Sequence, residues 1–315
     1  MHMRYRTFGR TGLSVSAVSM GTNRLGDPGV DPATWPPLVE RALQMGVNFF
    51  DTSISYNQGR SEAILGEVVS RHAAPTYIGT KVGFGIDFEV SANRAVRDYS
   101  ARAILRDVDG QLERLRRDSI DMYMLHSPSV SVLETTDWAQ AIDTLKQRSK
   151  IKWFGISTSD HASGIWAIEH GADLVQIEYD LLNPTAEDEL LPLAAQHSVG
   201  IMARTPLARG MLTGKFRLGQ PIPPEQQWRR PKGDQLRLRL ERIEQLRFLE
   251  RPGQTLGQAA LRFVLAHPAV HCVVPGARTL EQLESNVPAA EADLLPEELR
   301  RIGELHAAWR AEGRW

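Results

Sequence analysis

Four ionisable side chains lie at or near the ends of three apolar runs in this 315-residue chain. Asp51 follows NFF, Lys81 follows TYIGT and His126 follows IDMYML, while Tyr56 comes five residues after Asp51. Singly, each has an ordinary structural interpretation, as a turn cap, an ion-pair partner, a packed ring or a buried histidine. Together they indicate chemistry, because a lysine near the end of an apolar run is costly to bury alone and Asp51 can be its partner.

Such a group is suited to giving a proton to a carbonyl oxygen. A phenol has an ordinary pKa of about 10, so proton exchange near neutrality needs a nearby cation that favours the phenolate. Lys81 can be that cation for Tyr56, and His126 can orient the oxygen as a neutral donor. Because no side chain supplies a hydride, the predicted chemistry is carbonyl reduction with a bound cofactor.

The segments that carry these residues belong to a series of short apolar runs, each followed by a segment with helical periodicity. Eight runs occur, near residue 18 and from residues 48, 77, 120, 152, 174, 200 and 271. They predict an α/β fold, a (β/α)8 TIM barrel formed as one domain over residues 1–315, with TFGRTGLSV as an N-terminal β-hairpin capping the barrel bottom. Because barrel strands end at one face, the four side chains should share one cavity.

The composition favours a small-molecule partner. The chain has 37 basic and 38 acidic residues, a balance that argues against recruitment of nucleic acid or a membrane surface. No apolar leader or spanning segment is visible, so we expect a cytoplasmic location, with the choice between monomer and homo-oligomer open. Cys272 lies in VHCVVP and is expected to be a buried, inert thiol.

The segment FFDTSISYNQGRSEAILGE resembles the signature of the aldo-keto reductase superfamily, in its bacterial-type members. The resemblance extends over roughly residues 4 to 290. It implies NADPH-dependent reduction of an aldehyde or ketone to an alcohol. In that scheme Tyr56 is the proton donor, Lys81 assists it, Asp51 pairs with Lys81, and His126 orients the substrate or joins the proton relay.

The same resemblance implies where the nicotinamide lies. GISTSD is similar to a Gly-Val-Ser-Asn motif, so Ser157 should contact the carboxamide, and Thr158 stands where the family has Asn. VQIEYDLLN places Gln176 on the same carboxamide. Arg204 stands where an aromatic residue often stacks on the nicotinamide, and a guanidinium plane can also stack on a ring.

The rest of the cofactor is expected along two further segments. LARGMLTGK should wrap the pyrophosphate, and in VVPGARTLEQLESN Arg278 should pair with a 2′-phosphate, which favours NADPH over NADH. No GxGxxG fingerprint follows a strand. The other implied contacts are Gly21, Thr22, Asp51, Pro206, Leu207, Arg209, Gly210, Lys215, Gly276, Gln282 and Asn286.

Loops beyond the strands should form the substrate pocket. The candidates, besides Tyr56 and His126, are Asn23, Phe84, Ser127, Trp228, Trp309 and Trp315. Their aromatic character suggests a partly apolar aldehyde or ketone, and a long Pro- and Gly-rich connection at 208–235 could serve the site. No cluster with metal-ligand spacing is visible.

Two alternatives stay open at this point. Potassium-channel β subunits share the fold that the resemblance implies, so a cofactor-binding regulatory protein is one of them. A lyase or dehydratase that uses Tyr56 and Lys81 as acid and base without net redox is the other.

Overall fold

We describe a computed structural model of the chain over residues 2–86, 97–223 and 231–313. Of the residues proposed for the substrate pocket, Trp228 and Trp315 lie outside these ranges, as does part of the 208–235 connection.

Eight parallel strands form a barrel, in agreement with the eight predicted runs. They lie side by side in chain order, and parallel bridges from Val18 to Val273 and from Gly21 to Gly276 join the last strand to the first. The barrel strands are β3 (Met20–Gly21), β4 (Phe49–Asp51), β5 (Tyr77–Val82), β6 (Ile120–His126), β7 (Ile151–Thr158), β8 (Leu174–Glu178), β9 (Gly200–Arg204) and β10 (Cys272–Val274).

Helices alternate with the strands and cover the barrel. They are α1 (Trp35–Gln44), α2 (Arg60–Val69), α3 (Ala101–Leu115), α4 (Val130–Thr135), α5 (Trp138–Gln147), α6 (His161–Glu169), α7 (Leu190–Gln196), α8 (Gly233–Gln245), α9 (Leu256–Ala266), α10 (Leu280–Asn286) and α11 (Pro296–Ala311). Helix α3 shows why they form. Its side chains at helical spacing are buried on one face, and the Ser100 side chain accepts a hydrogen bond from the amide of Ala103, as expected of a cap.

Two apolar layers result from this arrangement. Outward-facing strand residues pack against the helices, and inward-facing residues such as Met122, Met124 and Met202 fill the barrel interior. Cys272 belongs to the interior layer and is fully buried. Burial raises the pKa of its thiol to about 12, and its buried position agrees with the prediction. Within the described ranges, no helix is both long and apolar enough to cross a membrane.

An N-terminal hairpin closes the lower end of the barrel, as predicted. Strands β1 (Tyr5–Thr7) and β2 (Ser14–Ser16) pair antiparallel, and the connection between them carries Phe8 into the interior layer. Phe8 is fully buried, with its ring centroid 6.4 Å from that of Phe49. A Cβ added to Gly200 would lie 2.4 Å from the Phe8 ring, so a residue without a side chain is needed there.

Replacing Phe8 by alanine should therefore lower the free energy of unfolding by about 3–5 kcal/mol, the usual cost of removing a buried aromatic ring. The denaturant midpoint measures this loss. Tyr5→Ala is the matched control, because Tyr5 is 48% exposed and gives up only one hydroxyl contact, to the Gly46 carbonyl. Equal shifts in the two variants would show that Phe8 is not a plug of the barrel.

Candidate active site

A buried ion pair lies at the C-terminal end of the barrel. The Lys81 ammonium, fully buried on β5, donates to Asp51 Oδ1 at the end of β4 over 2.6 Å. It also donates to the Thr52 carbonyl at 2.8 Å and contacts the Tyr56 hydroxyl at 3.4 Å. These three contacts use all three ammonium protons, so the buried charge is neutralised and its hydrogen-bonding capacity is filled.

The Tyr56 hydroxyl receives a bond and has its own proton uncommitted. The ring is half-buried, with the ammonium 5.1 Å from its centroid. The described residues include no acceptor for the phenol proton; the one hydrogen bond found for this hydroxyl comes from Lys81. The phenol can therefore donate outward to a bound molecule while a cation stands behind it.

The His126 ring lies close to the Tyr56 ring. The two rings are perpendicular, with centroids 6.0 Å apart, and the Phe84 ring packs edge-on against His126 at 4.5 Å. Ser53 Oγ lies 3.3 Å from His126 Nδ1, and the Tyr99 hydroxyl donates to the His126 carbonyl at 2.7 Å. The histidine is therefore held from several sides, next to the Tyr56 ring.

Ser53 and Tyr99 did not emerge from the sequence. Ser53 had a usable signal, since it lies two residues after Asp51 and so on the same side of an extended segment. Tyr99 had none, because it comes from a loop just before α3. Burial raises the pKa of Tyr99 to about 12, so its hydroxyl stays protonated and donates to the backbone that precedes Ser127.

A second polar network supports β5 from its outer face. The Glu62 carboxylate on α2 is fully buried and accepts from Thr80 Oγ1 at 2.6 Å, from Gln111 Nε2 at 2.9 Å and from Arg114 Nε at 2.8 Å. Gln111 also donates to the Lys81 carbonyl at 3.3 Å. Burial raises the pKa of Glu62, against the effect of its Thr80 and Arg114 partners. The network fixes the backbone from which Lys81 projects.

The predicted carboxamide contacts lie beside His126 in the barrel wall. Ser157 is the strand neighbour of His126 and donates to Gln176 Oε1 at 2.5 Å, and Arg204 donates to Ser157 Oγ at 3.1 Å. The buried Gln176 amide nitrogen has the Met202 sulfur as its partner at 2.8 Å, which is a weak acceptor. A carboxamide needs a donor for its oxygen and an acceptor for its nitrogen, and the weakly satisfied Gln176 amide nitrogen and the Ser157 oxygen can supply them, so these residues fit a nicotinamide.

Thr158 is not brought into this group. Its hydroxyl accepts from the Asp160 amide at 2.9 Å, in the turn that leads to α6. The Asp160 side chain in turn caps that helix. Thr158 therefore contributes to the turn before α6, while Ser157 points towards Gln176.

The segment after β9 has a strained backbone. Thr205, Ala208 and Arg209 adopt positive φ angles, which cost energy for residues with a side chain and concentrate at functional sites. This loop contains Pro206, Leu207 and Gly210, and Arg209 lies 3.4 Å from Glu178 at the end of β8. Lys215 is exposed further along, in a groove with Arg251 and Thr255.

The residues predicted to bind the adenosine end of the cofactor lie where β3 meets the segment after β10. Gly21 is bridged to Gly276, and a Cβ on Gly276 would lie 3.4 Å from Asn23 Oδ1. Arg278 is half exposed and 4.0 Å from Asp27, while its amide donates to Gln282 Oε1. Asn286 contacts the Gly276 carbonyl at 3.4 Å, and the Thr22 hydroxyl is taken up by the Asp51 carbonyl and Ser61.

The candidates for the pocket rim divide into two groups. Phe84 and Ser127 lie next to His126, and Ser127 has a positive φ that turns the chain away from β6. The prediction of Trp309 as a rim residue is wrong. Trp309 is 1% exposed, and its Nε1 donates to Gln245 between α11 and α8. Helix packing therefore accounts for it.

Within the described part of the chain, no group of three His, Cys, Asp or Glu side chains could hold a metal ion.

Comparison with known proteins places this geometry in context. Residues 17–307 match the model of the Aldo/keto reductase family. The chain is 31% identical over 306 residues to the uncharacterized oxidoreductase YqkF of Bacillus subtilis, covering 94% of each protein. It is 30% identical to a putative voltage-gated potassium channel subunit beta of Schizosaccharomyces pombe, covering 96% of this chain and 92% of that protein. The holo form of aldo-keto reductase AKR11C1 from Bacillus halodurans superposes with a TM-score of 0.81 at 29% identity, covering 96% of each chain.

Proposed function

This chain belongs to the aldo/keto reductase family, and we propose that it is an NADPH-dependent oxidoreductase that reduces an aldehyde or ketone to an alcohol. The observation that carries the proposal is the Tyr56 hydroxyl, which accepts from a buried ammonium while its own proton has no acceptor among the described residues. That arrangement is suited to protonating a carbonyl oxygen as negative charge develops on it.

Each residue of the group has a distinct role in this proposal. A carbonyl oxygen bound between Tyr56 and His126 accepts the phenol proton, and the adjacent Lys81 ammonium stabilises the phenolate that remains. Asp51 keeps Lys81 charged and in place. His126, held by Ser53, orients the oxygen, and the Phe84 ring excludes water from one side.

The nicotinamide contacts follow from the donor set in the wall. Ser157 and Gln176 would hold the carboxamide, and the loop from Thr205 to Gly210 would bind the pyrophosphate, with Arg209 as a charge partner. Arg278, Gln282 and Asn286 would hold the adenosine end. A bound reduced nicotinamide supplies the hydride that no side chain of this chain can provide.

The experiment that tests the proposal follows the absorbance of NADPH with purified protein and a panel of aldehydes and ketones, beginning with 4-nitrobenzaldehyde. We expect carbonyl-dependent loss of NADPH and formation of one alcohol per NADPH consumed. Product formation without NADPH consumption would instead favour a lyase or dehydratase on the same barrel.

Arg278→Ala should weaken NADPH binding by about ten- to a hundredfold and leave NADH binding almost unchanged. The half-exposed guanidinium is available for charge-assisted hydrogen bonds with a 2′-phosphate, which are worth about 1.5–3 kcal/mol. Titration of both cofactors measures the change. Arg71→Ala, at an exposed position just after the end of α2, is the matched control for loss of one surface arginine. Equal affinity of the native protein for NADH and NADPH would contradict the preference.

A second candidate function is a cofactor-binding regulatory subunit. The relative named as a potassium channel β subunit, which covers 96% of this chain, favours keeping it. Slow single turnover with tightly retained cofactor, together with a stable large oligomer, would support this alternative. Rapid multiple turnover with carbonyl compounds would support the enzyme.

A further inference from the structure

The C-terminal ends of the barrel strands carry an unbalanced positive charge. Lys81 is paired with Asp51 at 2.6 Å, and Arg209 is paired with Glu178 at 3.4 Å. Among the described residues, no carboxylate lies within 4.0 Å of the Arg204 guanidinium. The two ion pairs cancel, so Arg204 leaves this part of the site with a net positive charge.

The position of Arg204 follows from the strand periodicity. It lies two residues after Met202, which fills the barrel interior, so both side chains point inward from β9. The half-buried guanidinium donates to Ser157 Oγ at 3.1 Å, and the same hydroxyl contacts Gln176. Arg204 thus reaches the Ser157 hydroxyl, which itself contacts Gln176, and a carboxamide bound to Ser157 would have this cation beside it.

We propose that Arg204 makes this site discriminate between the two redox states of its cofactor, binding the reduced nicotinamide in preference to the oxidised one. The inference rests on the proposed function and deepens it. A guanidinium is charged at every relevant pH. The oxidised nicotinamide ring carries a positive charge and the reduced ring is neutral, so the same cation repels one form and attracts the electron-rich face of the other.

A preference for the reduced cofactor affects both cofactor exchange and the reduction potential of the bound couple. A site that holds the reduced form more tightly loads NADPH and releases NADP+ readily, while the bound NADPH becomes a weaker hydride donor. The ratio of the two dissociation constants also fixes the reduction potential of the bound couple. A tenfold preference for the reduced form raises that potential by about 30 mV for a two-electron couple.

The test compares native protein with Arg204→Met and Arg204→Lys, titrated with NADPH and with NADP+ in the absence of any carbonyl compound. Quenching of tryptophan fluorescence or calorimetry gives both dissociation constants. Methionine removes the charge and keeps an extended side chain, so the ratio of Kd for NADP+ to Kd for NADPH should fall by about tenfold or more. Lysine keeps a charge and should retain most of the ratio.

Ser157→Ala is the matched control, because it removes a hydrogen-bonding group from the same contact and leaves the cation. It should weaken both cofactor forms by similar factors and leave the ratio unchanged. Thermal unfolding of each variant establishes that it is folded before it is titrated, and Arg204→Lys provides the second variant of this position.

The outcomes separate the inference from the proposed function. A ratio in Arg204→Met within about twofold of the native value overturns the inference, as does equal weakening of both forms, which would give Arg204 a purely structural role. Native protein that binds neither form would overturn the proposed function, and this inference with it. A fall in the ratio that lysine prevents would support the inference.

Discussion

Replacing Tyr56 by phenylalanine should lower kcat for carbonyl reduction by about a hundred- to ten-thousandfold, the usual contribution of a positioned general acid. The substitution removes the phenol proton, for which the described residues include no acceptor. It also removes the oxygen that accepts from Lys81 at 3.4 Å. The remaining ammonium contacts, to Asp51 and Thr52, are shorter and stay in place. Stability and NADPH affinity should therefore change little.

Steady-state kinetics and a cofactor titration on the same preparation measure both quantities. Tyr5→Phe is the matched control, since it removes a phenol hydroxyl from the N-terminal hairpin, far along the barrel axis from the strand ends. It should leave kcat within about twofold of the native value. Undiminished turnover in Tyr56→Phe would refute Tyr56 as the proton donor.

Replacing Lys81 by methionine should damage both stability and activity. The fully buried ammonium is the ion-pair partner of Asp51, so its removal leaves an uncompensated buried carboxylate at a cost of about 3–5 kcal/mol. Turnover should fall by about a hundredfold or more, because no cation then stands behind the phenol. Denaturant unfolding and kcat report the two losses separately.

The double variant Lys81→Met/Asp51→Asn distinguishes the two effects. Removing both charges takes away the unpaired carboxylate, so at least about half of the lost stability should return. Turnover should stay low, because the cation beside Tyr56 is still missing. Recovery of activity in the double variant would show that Lys81 acts only as a structural partner of Asp51.

The barrel and the meeting of the four residues could be predicted from the sequence for a simple physical reason. Strands buried on both faces require apolar runs, and a polar residue that ends such a run, such as Asp51 or His126, must lie at the face where parallel strands end. The partner of Lys81 followed from the cost of burying a lone charge. The structure adds the distances between these side chains, including the 3.4 Å from the Lys81 ammonium to the Tyr56 hydroxyl.

Other parts could not be predicted because they depend on how distant segments pack. Tyr99 meets His126 through a loop that has no periodic pattern. Trp309 lies near the C-terminus and was expected at the mouth, but α11 folds back so that its indole packs against α8. The Thr158 hydroxyl bonds to the backbone of the turn before α6 instead of facing the site. Strand alternation does not reveal such a local hydrogen bond.

The central claim is that Tyr56 gives a proton, and a bound nicotinamide a hydride, to the same carbonyl group. The most direct measurement uses NADPH that carries deuterium at the transferable C4 position, a ketone substrate and mass spectrometry of the alcohol. The account predicts one deuterium on the carbinol carbon of each product molecule from the native protein, and at least about a hundredfold less product from Tyr56→Phe in the same time. Product without deuterium would contradict it.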